Sequence, residues 1–446
     1  MLLQNWWYTS LLGKPYHKID SLREHISCDV LVVGGGMSGV SAAHALMNKG
    51  LKVVLIEKNI LGGSSTGKSA GFLTPDSELE LSQLIRRFGV NGAKELWEVP
   101  VKGISLIKQN VEKYNLDCDF QKQDSLFLGI GKSGWQDVQD ELESRNKAGF
   151  ESKIYNEQEL KNIIHATGYS GAVSYANTYG ISGLQYCQAM KNILTDAGIQ
   201  VYEATEALRI EDHTVFTHAG SVKADKIIIC IDKMTHSFSH FADDVFHAQT
   251  FLSISEPLSD KEIESIFPSG QKFQCWDSTL VYSYFRLTGN NRMLLGGGSA
   301  FTTFLSKEVH SATVIDEVIT KFKQFFPSLN HLKFIQYWPG QIDTTRDLLP
   351  TLVRDDKTPY LHFCFGVVGL PWASFCGNFL AECVLGTNVP EQKKYFEYFS
   401  SRRPFAFPVW IEKVFGKPVL FSLDNYWAKY HQIDIKDKMQ YDKKDF

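Results

Sequence analysis

The chain has no pair of cysteines at the spacing of a metal site or a redox motif. Its eight cysteines are scattered, and its thirteen histidines include none at metal-ligand or catalytic-triad spacing. Most cysteines lie in apolar runs such as 227–230, so we expect small, buried hydrophobic side chains rather than disulfides. These absences argue against a zinc domain and a disulfide-stabilised secreted domain, and they favour the reducing cytoplasm.

Other common features are also missing. No apolar run approaches the roughly 18 residues of a membrane span, and Met1–Ser10 lacks the basic and apolar regions of a secretion signal. A net charge of −4 provides no basic excess for binding nucleic acid. There is no internal repeat. At 446 residues, with 43% hydrophobic and 22% charged residues, the chain is long enough for at least two globular domains.

A dinucleotide-binding unit stands near the N-terminus. The apolar run Val30–Val33 predicts a buried parallel strand, 37–49 predicts a helix that Gly50 ends, and 52–56 predicts a second strand. Between the first strand and the helix, three glycines stand at the GxGxxG spacing.

Each residue of that motif has a physical role. Gly34 permits the tight turn, Gly36 lets a pyrophosphate approach the backbone, and Gly39 lets the helix pack on the strand. Glu57 follows Gly39 by eighteen residues and ends the second strand, where a carboxylate can bind both ribose hydroxyls. The acid argues against a 2′-phosphate but does not separate FAD from NAD. A glycine-rich turn without a ligand is the alternative.

The small-residue loop 61–73 comes directly after this unit. A loop of this length and composition can surround a second ligand segment with amides and hydroxyls, which favours FAD; the alternative is a plain flexible loop.

The rest of the chain alternates helices and strands. Helices are predicted near 77–115, 137–147, 157–164 (with Asn156 as its cap), 184–197 and 308–325, and from the turn after 369 to near 386. Strands are predicted at 199–202, 226–231, 334–338 and 360–365, and a hairpin has strands 280–288 and 292–296.

This order predicts an α/β fold: a discontinuous Rossmann-like FAD-binding domain with an inserted antiparallel-sheet substrate domain. We expect the FAD-binding domain at 1–75, 170–240 and 340–386, and the substrate or cap domain at 76–169 and 241–339. The remainder, 387–446, is predicted to be a C-terminal arm that ends in a charged tail from 436.

Several motifs along nearly the whole chain resemble the D-amino acid oxidase (DAO) superfamily of flavoproteins and, more narrowly, gamma-glutamylputrescine oxidoreductases. These are the GGGxxG turn and the segments 117–119, 284–288, 291–292, 296–298, 338–340, 366–369 and 380–382.

The resemblance implies noncovalent FAD, since no cysteine lies in 344–349, where some relatives carry a covalent link. It implies FAD contacts in the glycine turn, at the end of the second strand, in the flavin loop, at one adenine-binding alanine and in the C-terminal turn. These residues are Gly34, Gly36, Met37, Ser38, Gly39, Glu57, Lys58, Ser65, Thr66, Lys68, Ser69, Gly71, Phe72, Leu73, Ala207, Gly366, Val368, Gly369 and Leu370.

Three segments depart from the family pattern. The flavin loop reads Thr-Gly-Lys-Ser-Ala-Gly at 66–71 instead of Ser-Gly-Arg-Asn-Gly-Gly. The C-terminal turn reads Gly-Leu-Pro at 369–371 instead of Gly-His-Gly, and the third strand ends Cys-Ile-Asp at 230–232 instead of Ala-x-Gly. These departures bear on the substrate and on oxidase activity more than on FAD binding.

The family reaction transfers hydride from a C–H beside an amine nitrogen to the flavin, after which the imine hydrolyses and O2 reoxidises the cofactor. Catalytic candidates are Lys68 at the flavin edge, Arg286 as a clamp for a substrate carboxylate, and Tyr284 and Trp372 as cavity walls. The alternatives are a solvent-facing lysine, a salt-bridged strand arginine and ordinary core aromatics. Tyr282 and Trp338 are further wall candidates.

The leading hypothesis is therefore an FAD-dependent oxidase of a small amine or amino acid, such as gamma-glutamylputrescine. The alternatives are a dehydrogenase of the same fold that uses another electron acceptor, and a flavin-binding protein that has lost catalysis. An NAD dehydrogenase is less favoured because no second nucleotide site is evident. The oligomeric state is left open.

Overall fold

The computed structural model describes residues 1–430 except 16, 77, 237, 304–306, 355–357, 388, 404–406 and 409. The predicted charged tail from 436 lies outside these residues. The strands are β1 (Leu2–Leu3), β2 (His25–Val33), β3 (Val53–Ile56), β4 (Phe72–Leu73), β5 (Gln121–Lys122), β6 (Asp124–Ile130), β7 (Ile154–Asn156), β8 (Tyr169–Tyr175), β9 (Tyr179–Gly180), β10 (Gln200–Tyr202), β11 (Arg209–Glu211), β12 (Thr214–Phe216), β13 (Ser221–Ile229), β14 (Phe246–Pro257), β15 (Phe273–Asp277), β16 (Tyr284–Leu287), β17 (Arg292–Gly297), β18 (Phe334–Thr344), β19 (Thr351–Arg354) and β20 (Leu361–Phe365).

Helices pack on the two larger of the sheets described below and form the described part of the C-terminal arm. They are α1 (Trp6–Thr9), α2 (Met37–Leu46), α3 (Ser65–Lys68), α4 (Leu81–Tyr114), α5 (Gly131–Ala148), α6 (Glu157–Leu160), α7 (Gly183–Asp196), α8 (Asp260–Ile266), α9 (Ala300–Thr303), α10 (Ala312–Phe325), α11 (Leu370–Leu385), α12 (Val389–Tyr398), α13 (Trp410–Phe415) and α14 (Lys417–Tyr430). Across the described ranges, no helix is long and apolar enough to cross a bilayer.

The first sheet holds the dinucleotide unit. Its order is β10-β3-β2-β13-β12-β11, and β20 pairs with both β13 and β19. The strands β10, β3, β2, β13 and β20 are parallel to their neighbours in this set, as expected for strands buried on both faces. Helices α2 and α11 pack over this sheet and lie very close to each other. A Cβ added to Gly377 in α11 would lie 1.8 Å from the carbonyl oxygen of Ser38 in α2.

The second sheet has nine strands in the order β1-β18-β14-β17-β16-β15-β6-β8-β7. Most pairs are antiparallel, but β1 with β18 and β15 with β6 are parallel. Helix α10 packs on this sheet with Val314, Ile315 and Phe322 in its core. A small third sheet, β4-β9-β5, lies beside the flavin loop. The α/β fold with an inserted, mainly antiparallel sheet is thus confirmed.

Some element bounds differ from the expectations. The first hairpin strand starts at Tyr284 rather than 280, because Asp277 accepts a hydrogen bond from the Thr279 amide (3.0 Å) in a turn that leaves Leu280 81% exposed. The helix expected from 308 starts at Ala312, where the Ser311 side chain caps it. Asn156 caps α6 as predicted, in a capping box with Glu159, but the helix ends at Leu160 rather than 164.

The predicted domain limits remain a prediction. Strand β8, which follows the expected limit at 170, pairs in the nine-stranded sheet, and β18 runs across the expected limit at 340. The eight cysteines are free thiols, most of them buried, as expected.

Candidate active site

The glycine turn has the geometry that its sequence predicts. Gly34 follows β2 at φ 102°, and a Cβ there would lie 2.4 Å from the carbonyl oxygen of Cys230. A Cβ on Gly39 would lie 1.8 Å from the carbonyl oxygen of Gly34. Gly36 caps α2 without a side chain of its own, and although Thr66 Oγ1 accepts from the Met37 amide at 3.0 Å, the positive end of the helix dipole still favours an anion. The turn therefore forms a tight backbone cradle in which Gly34 and Gly39 admit no side chain.

Glu57 stands at the end of β3, beside this turn. Its carboxylate accepts hydrogen bonds from the amides of Gly35 (2.7 Å) and Asn59 (2.8 Å). Burial raises the pKa of Glu57, although these two amides act to lower it. Each carboxylate oxygen keeps a second lone pair, so the side chain can still accept from ribose hydroxyls. Lys58 is exposed, and Ala207 is half-buried in the loop between β10 and β11.

The flavin loop folds onto the start of α2. Thr66 Oγ1 accepts a hydrogen bond from the Met37 amide at 3.0 Å. Part of the segment that was expected to be a loop, residues 65–68, forms the short helix α3. The hydroxyls of Ser64 (2.9 Å) and Ser65 donate to the carboxylate of Asp232. Asp232, which follows β13 and departs from the family pattern, therefore anchors the flavin loop. The sequence did not indicate this role.

The N-terminal arm also holds this loop. Trp7 Nε1 donates to the carbonyl of Ser69 (2.9 Å), and the Asn5 amide donates to the carbonyl of Gly67 (2.8 Å). Gly71 has φ 77°, and a Cβ there would lie 1.7 Å from the carbonyl oxygen of Ile181. The backbone conformation of the loop is therefore fixed from several sides, which the composition of the loop alone does not reveal.

Lys68 is not a free solvent-facing lysine. Its ammonium pairs with Glu308 at 2.7 Å, and both side chains are about one quarter exposed. The Lys68 carbonyl accepts from Trp338 Nε1 at 3.1 Å, and Gly340 lies against the Lys68 backbone. The pair joins the flavin loop to the second sheet, beside the place where the resemblance puts the flavin.

Arg286 is fully buried, and protein acceptors engage its guanidinium on every nitrogen. Nε donates to the carbonyl of Ala70 (2.7 Å), and the two terminal nitrogens share Asp119 (3.3 Å). The same two nitrogens also donate to the carbonyls of Leu287 (3.2 Å) and Ile181 (2.8 Å). With five N–H donors and five such bonds, these contacts favour the salt-bridged arginine over the substrate clamp.

Three aromatic rings continue from the flavin loop onto β16. Phe72 meets Tyr284 edge-on with ring centroids 5.8 Å apart, and Tyr282 lies 5.7 Å from Tyr284. The Tyr284 hydroxyl bonds Thr250 (3.0 Å), and burial raises the pKa of Tyr284 to about 12. The Tyr282 hydroxyl donates to Glu78 at 3.0 Å. This aromatic wall (Phe72, Tyr284 and Tyr282) therefore ends on a carboxylate that the sequence did not single out.

The C-terminal turn leads into α11. Gly366 and Gly369 have φ 63° and 94°, and α11 begins at Leu370 with a proline in its first turn. Val368 and Trp372 are buried. The Trp372 ring packs edge-on against Phe399, and its Nε1 has no hydrogen-bond partner within the described ranges. Trp372 therefore stays a candidate wall residue with an unused donor.

Among the residues described, no group of three His, Cys, Asp or Glu side chains is arranged to hold a metal ion.

Comparison with known proteins agrees with this geometry. The probable oxidoreductase OrdL of Haemophilus influenzae is 27% identical over 382 residues, covering 83% of this chain and 85% of that protein. The gamma-glutamylputrescine oxidoreductase of Escherichia coli is 24% identical over 410 residues, covering 90% and 92%.

Two solved structures share the fold. Glycine oxidase from Geobacillus kaustophilus superposes with a TM-score of 0.70 at 18% identity, over 81% of this chain and 95% of that one. L-proline dehydrogenase from P. horikoshii gives 0.68 at 19%, over 84% and 98%. The profile of the DAO family, described as FAD dependent oxidoreductase, matches residues 29–383. The chain therefore belongs to the DAO family of FAD-dependent oxidoreductases.

Proposed function

We propose that this oxidoreductase oxidises a C–N bond of a small amine, with O2 as the final electron acceptor and gamma-glutamylputrescine as the best single substrate candidate. The proposal is supported by the similarity to the gamma-glutamylputrescine oxidoreductase of Escherichia coli across 90% of this chain. The site residues described above support an amine more than an amino acid.

The cradle fits FAD. Gly34 and Gly39 hold the turn in the tight backbone form that a dinucleotide site needs, and the α2 N-terminus and Glu57 supply donors and acceptors of the right chemistry. We propose that the residues predicted as FAD contacts in the glycine turn, the flavin loop and the C-terminal turn hold it without a covalent link. When bound, FAD supplies the hydride acceptor.

The observation that carries the choice of an amine is the bonding of Arg286. An amino acid that is oxidised at its α-carbon needs a cation for the adjacent carboxylate, and the best-placed arginine donates all of its N–H groups to Ala70, Asp119, Leu287 and Ile181. Lys68 is paired with Glu308. Close to the flavin loop, the described side chains thus offer aromatic surface and carboxylates instead.

The aromatic wall suits this reaction. Only the neutral amine can release hydride, and a dry surrounding disfavours the ammonium form. Phe72, Tyr282 and Tyr284 provide apolar surface there, and Tyr284 keeps its proton because burial raises its pKa. Its bond to Thr250 holds the ring in one orientation. We infer that this wall positions the substrate carbon and excludes water.

The test is an anaerobic amine panel on the purified protein. We expect a yellow protein that releases FAD on denaturation, and loss of flavin absorbance when a suitable amine is added. Formation of H2O2 on admitting air supports an oxidase, whereas bleaching without H2O2 supports a dehydrogenase. A colourless protein that cannot be reconstituted, or bound FAD that no amine bleaches, contradicts the proposal.

A further inference from the structure

We propose that Glu78 and Asp76 form a subsite at the end of the aromatic wall, which binds a second amino group of the substrate in its protonated form while the neutral amine that is oxidised lies at the flavin loop. This inference rests on the proposed amine chemistry and adds the residues that select a cation.

The subsite lies on the segment that leaves the flavin loop. Strand β4 carries Phe72 of the wall, and Asp76 and Glu78 follow within six residues. The Tyr282 hydroxyl holds Glu78, and the ring of Tyr282 packs on Tyr284, which packs on Phe72. The aromatic wall therefore runs without a break from the flavin loop to the Glu78 carboxylate.

The charge around this position is unbalanced. Asp76 is buried, and it feels the negative charges of Glu80, Glu141 and Glu78 more strongly than the positive charge of Arg145. Four carboxylates therefore share one nearby guanidinium. Burial and the neighbouring carboxylates raise the pKa of Asp76, so a cation lying against it is needed to keep these groups ionised together, and the arrangement favours a cationic ligand.

Protein contacts engage three of these carboxylates: Glu78 accepts from the Tyr282 hydroxyl, Glu80 accepts from the Gln83 side-chain amide, and Glu141 has the fullest set. Glu141 accepts from the amides of Leu81 (3.3 Å) and Ser82 (3.0 Å) at the start of α4, and from the Tyr175 hydroxyl (3.1 Å). It therefore acts as a structural cap for the helix. No comparable set of contacts surrounds Asp76.

Two buried polar atoms also favour a cationic ligand at this subsite. Asp76 Oδ2 and Thr74 Oγ1 have no hydrogen-bond partner in the described part of the chain, and both residues are only 5% exposed. A protonated amine brings three N–H donors, which matches acceptors on Thr74, Asp76 and Glu78. A metal ion is a poorer match, because the described residues include no group of three His, Cys, Asp or Glu side chains that could hold one.

The experiment compares two probes of the same shape. The tert-butylammonium ion has no C–H beside its nitrogen and cannot be oxidised, and tert-butanol is its neutral counterpart. Binding to the FAD-loaded protein is followed by the change in flavin absorbance and by calorimetry. We expect wild-type protein to prefer the ammonium, and D76N and E78Q to weaken its binding by roughly tenfold each while tert-butanol binding stays unchanged.

Glu143→Gln is the matched control, because it makes the same chemical change on the exposed face of α5, where Glu143 pairs with Lys147. It should leave both affinities unchanged. Equal wild-type affinity for the two probes overturns the subsite, as does unchanged ammonium binding in the D76N/E78Q double variant. Because neither probe is oxidised, this outcome is separate from the test of amine oxidation, which can fail or succeed on its own.

Discussion

At the scale of single residues, the site depends on a few atoms that tolerate no replacement. The glycine turn could be predicted from the sequence because its requirements are local: spacing, a preceding apolar strand and a following helix. The bonding of Arg286 could not be predicted, because its acceptors Ala70, Asp119 and Ile181 come from distant parts of the chain. Asp76 and Glu78 were missed for the same reason, since only the fold shows what surrounds them.

Gly39→Ala should give protein with little or no FAD. The new methyl group would overlap the carbonyl oxygen of Gly34, 1.8 Å away, and must open the diphosphate cradle. FAD content per chain after purification is the measurement. Gly149→Ala is the control: Gly149 has φ 77° with nothing near its Cβ position, so it should cost roughly 1 kcal/mol of stability and leave FAD content normal. Normal FAD in G39A would contradict this account of the turn.

Stability should fall as pH rises through the titration of Glu78. Burial raises the pKa of this carboxyl to about 7, Glu80 adds to the rise, and the hydrogen bond from Tyr282 opposes it. The raised pKa means that Glu78 stabilises the fold below its ordinary pKa near 4.5, and that this contribution is lost as pH rises toward 7. Asp76 and Glu141, also raised, titrate in the same direction.

Denaturant unfolding of wild-type protein and E78Q across this pH range isolates the contribution of Glu78. We expect the free energy of unfolding to fall less steeply with pH in the variant. Parallel pH curves would mean that Glu78 titrates as an ordinary exposed carboxyl.

At the scale of elements, segments with clear local start and stop signals were predicted well, whereas α5 begins at Gly131 rather than 137 and α10 at Ala312 rather than 308. Helices α7 and α11 and strand β3 lie within about two residues of their predicted bounds, because hydrophobic period and glycine stops mark them locally. Short strands such as β4 and β9 exist only because they pair with each other, which a local pattern does not encode. Helix α3 was expected as a loop because its four residues are small and polar.

The α2–α11 contact should be sensitive to a single methyl group. In Gly377→Ala the Cβ would overlap the carbonyl oxygen of Ser38, so α11 must move away from the first turn of α2. We expect a loss of about 1–3 kcal/mol in unfolding free energy together with weaker FAD retention. Ser374→Ala at the same interface removes only the bond to Ser41 (3.1 Å) and should cost about 1 kcal/mol with FAD retained. Equal behaviour of the two variants would rule out this close-approach argument.

At the scale of the whole molecule, the N-terminal arm and the described part of the C-terminal arm are both attached to the core. The N-terminal arm bonds the flavin loop, and β1 adds an edge strand to the nine-stranded sheet. The C-terminal arm is tied down by Arg403, which bonds Asp347 at 2.6 and 2.8 Å and the carbonyl of Leu349 at 2.8 Å. The sequence predicted an arm but not its attachment, because the partners stand more than 50 residues apart.

Arg403→Met should destabilise the whole fold. Burial acts to raise the pKa of Asp347, but Arg403 outweighs it and the pKa is lowered, so the variant leaves a buried carboxylate without its main partner. We expect a loss of about 3–5 kcal/mol in denaturant unfolding at neutral pH. The lowered pKa means that ionised Asp347 stabilises the wild-type fold above its ordinary pKa. The difference in unfolding free energy between the wild-type protein and the variant should therefore shrink as pH falls below that ordinary pKa. A deficit that does not change with pH would point to lost packing alone.

The most direct measurement for the whole account is a single anaerobic turnover with gamma-glutamylputrescine. We predict that bound FAD loses its absorbance as the substrate amine loses hydride and a proton, and that the imine then hydrolyses to one aldehyde and one ammonia per flavin reduced. Glycine and proline, whose carboxylates would find Arg286 already bonded, should reduce the flavin far more slowly. FAD-loaded protein that glycine or proline reduces faster than any amine without an adjacent carboxylate would contradict the account.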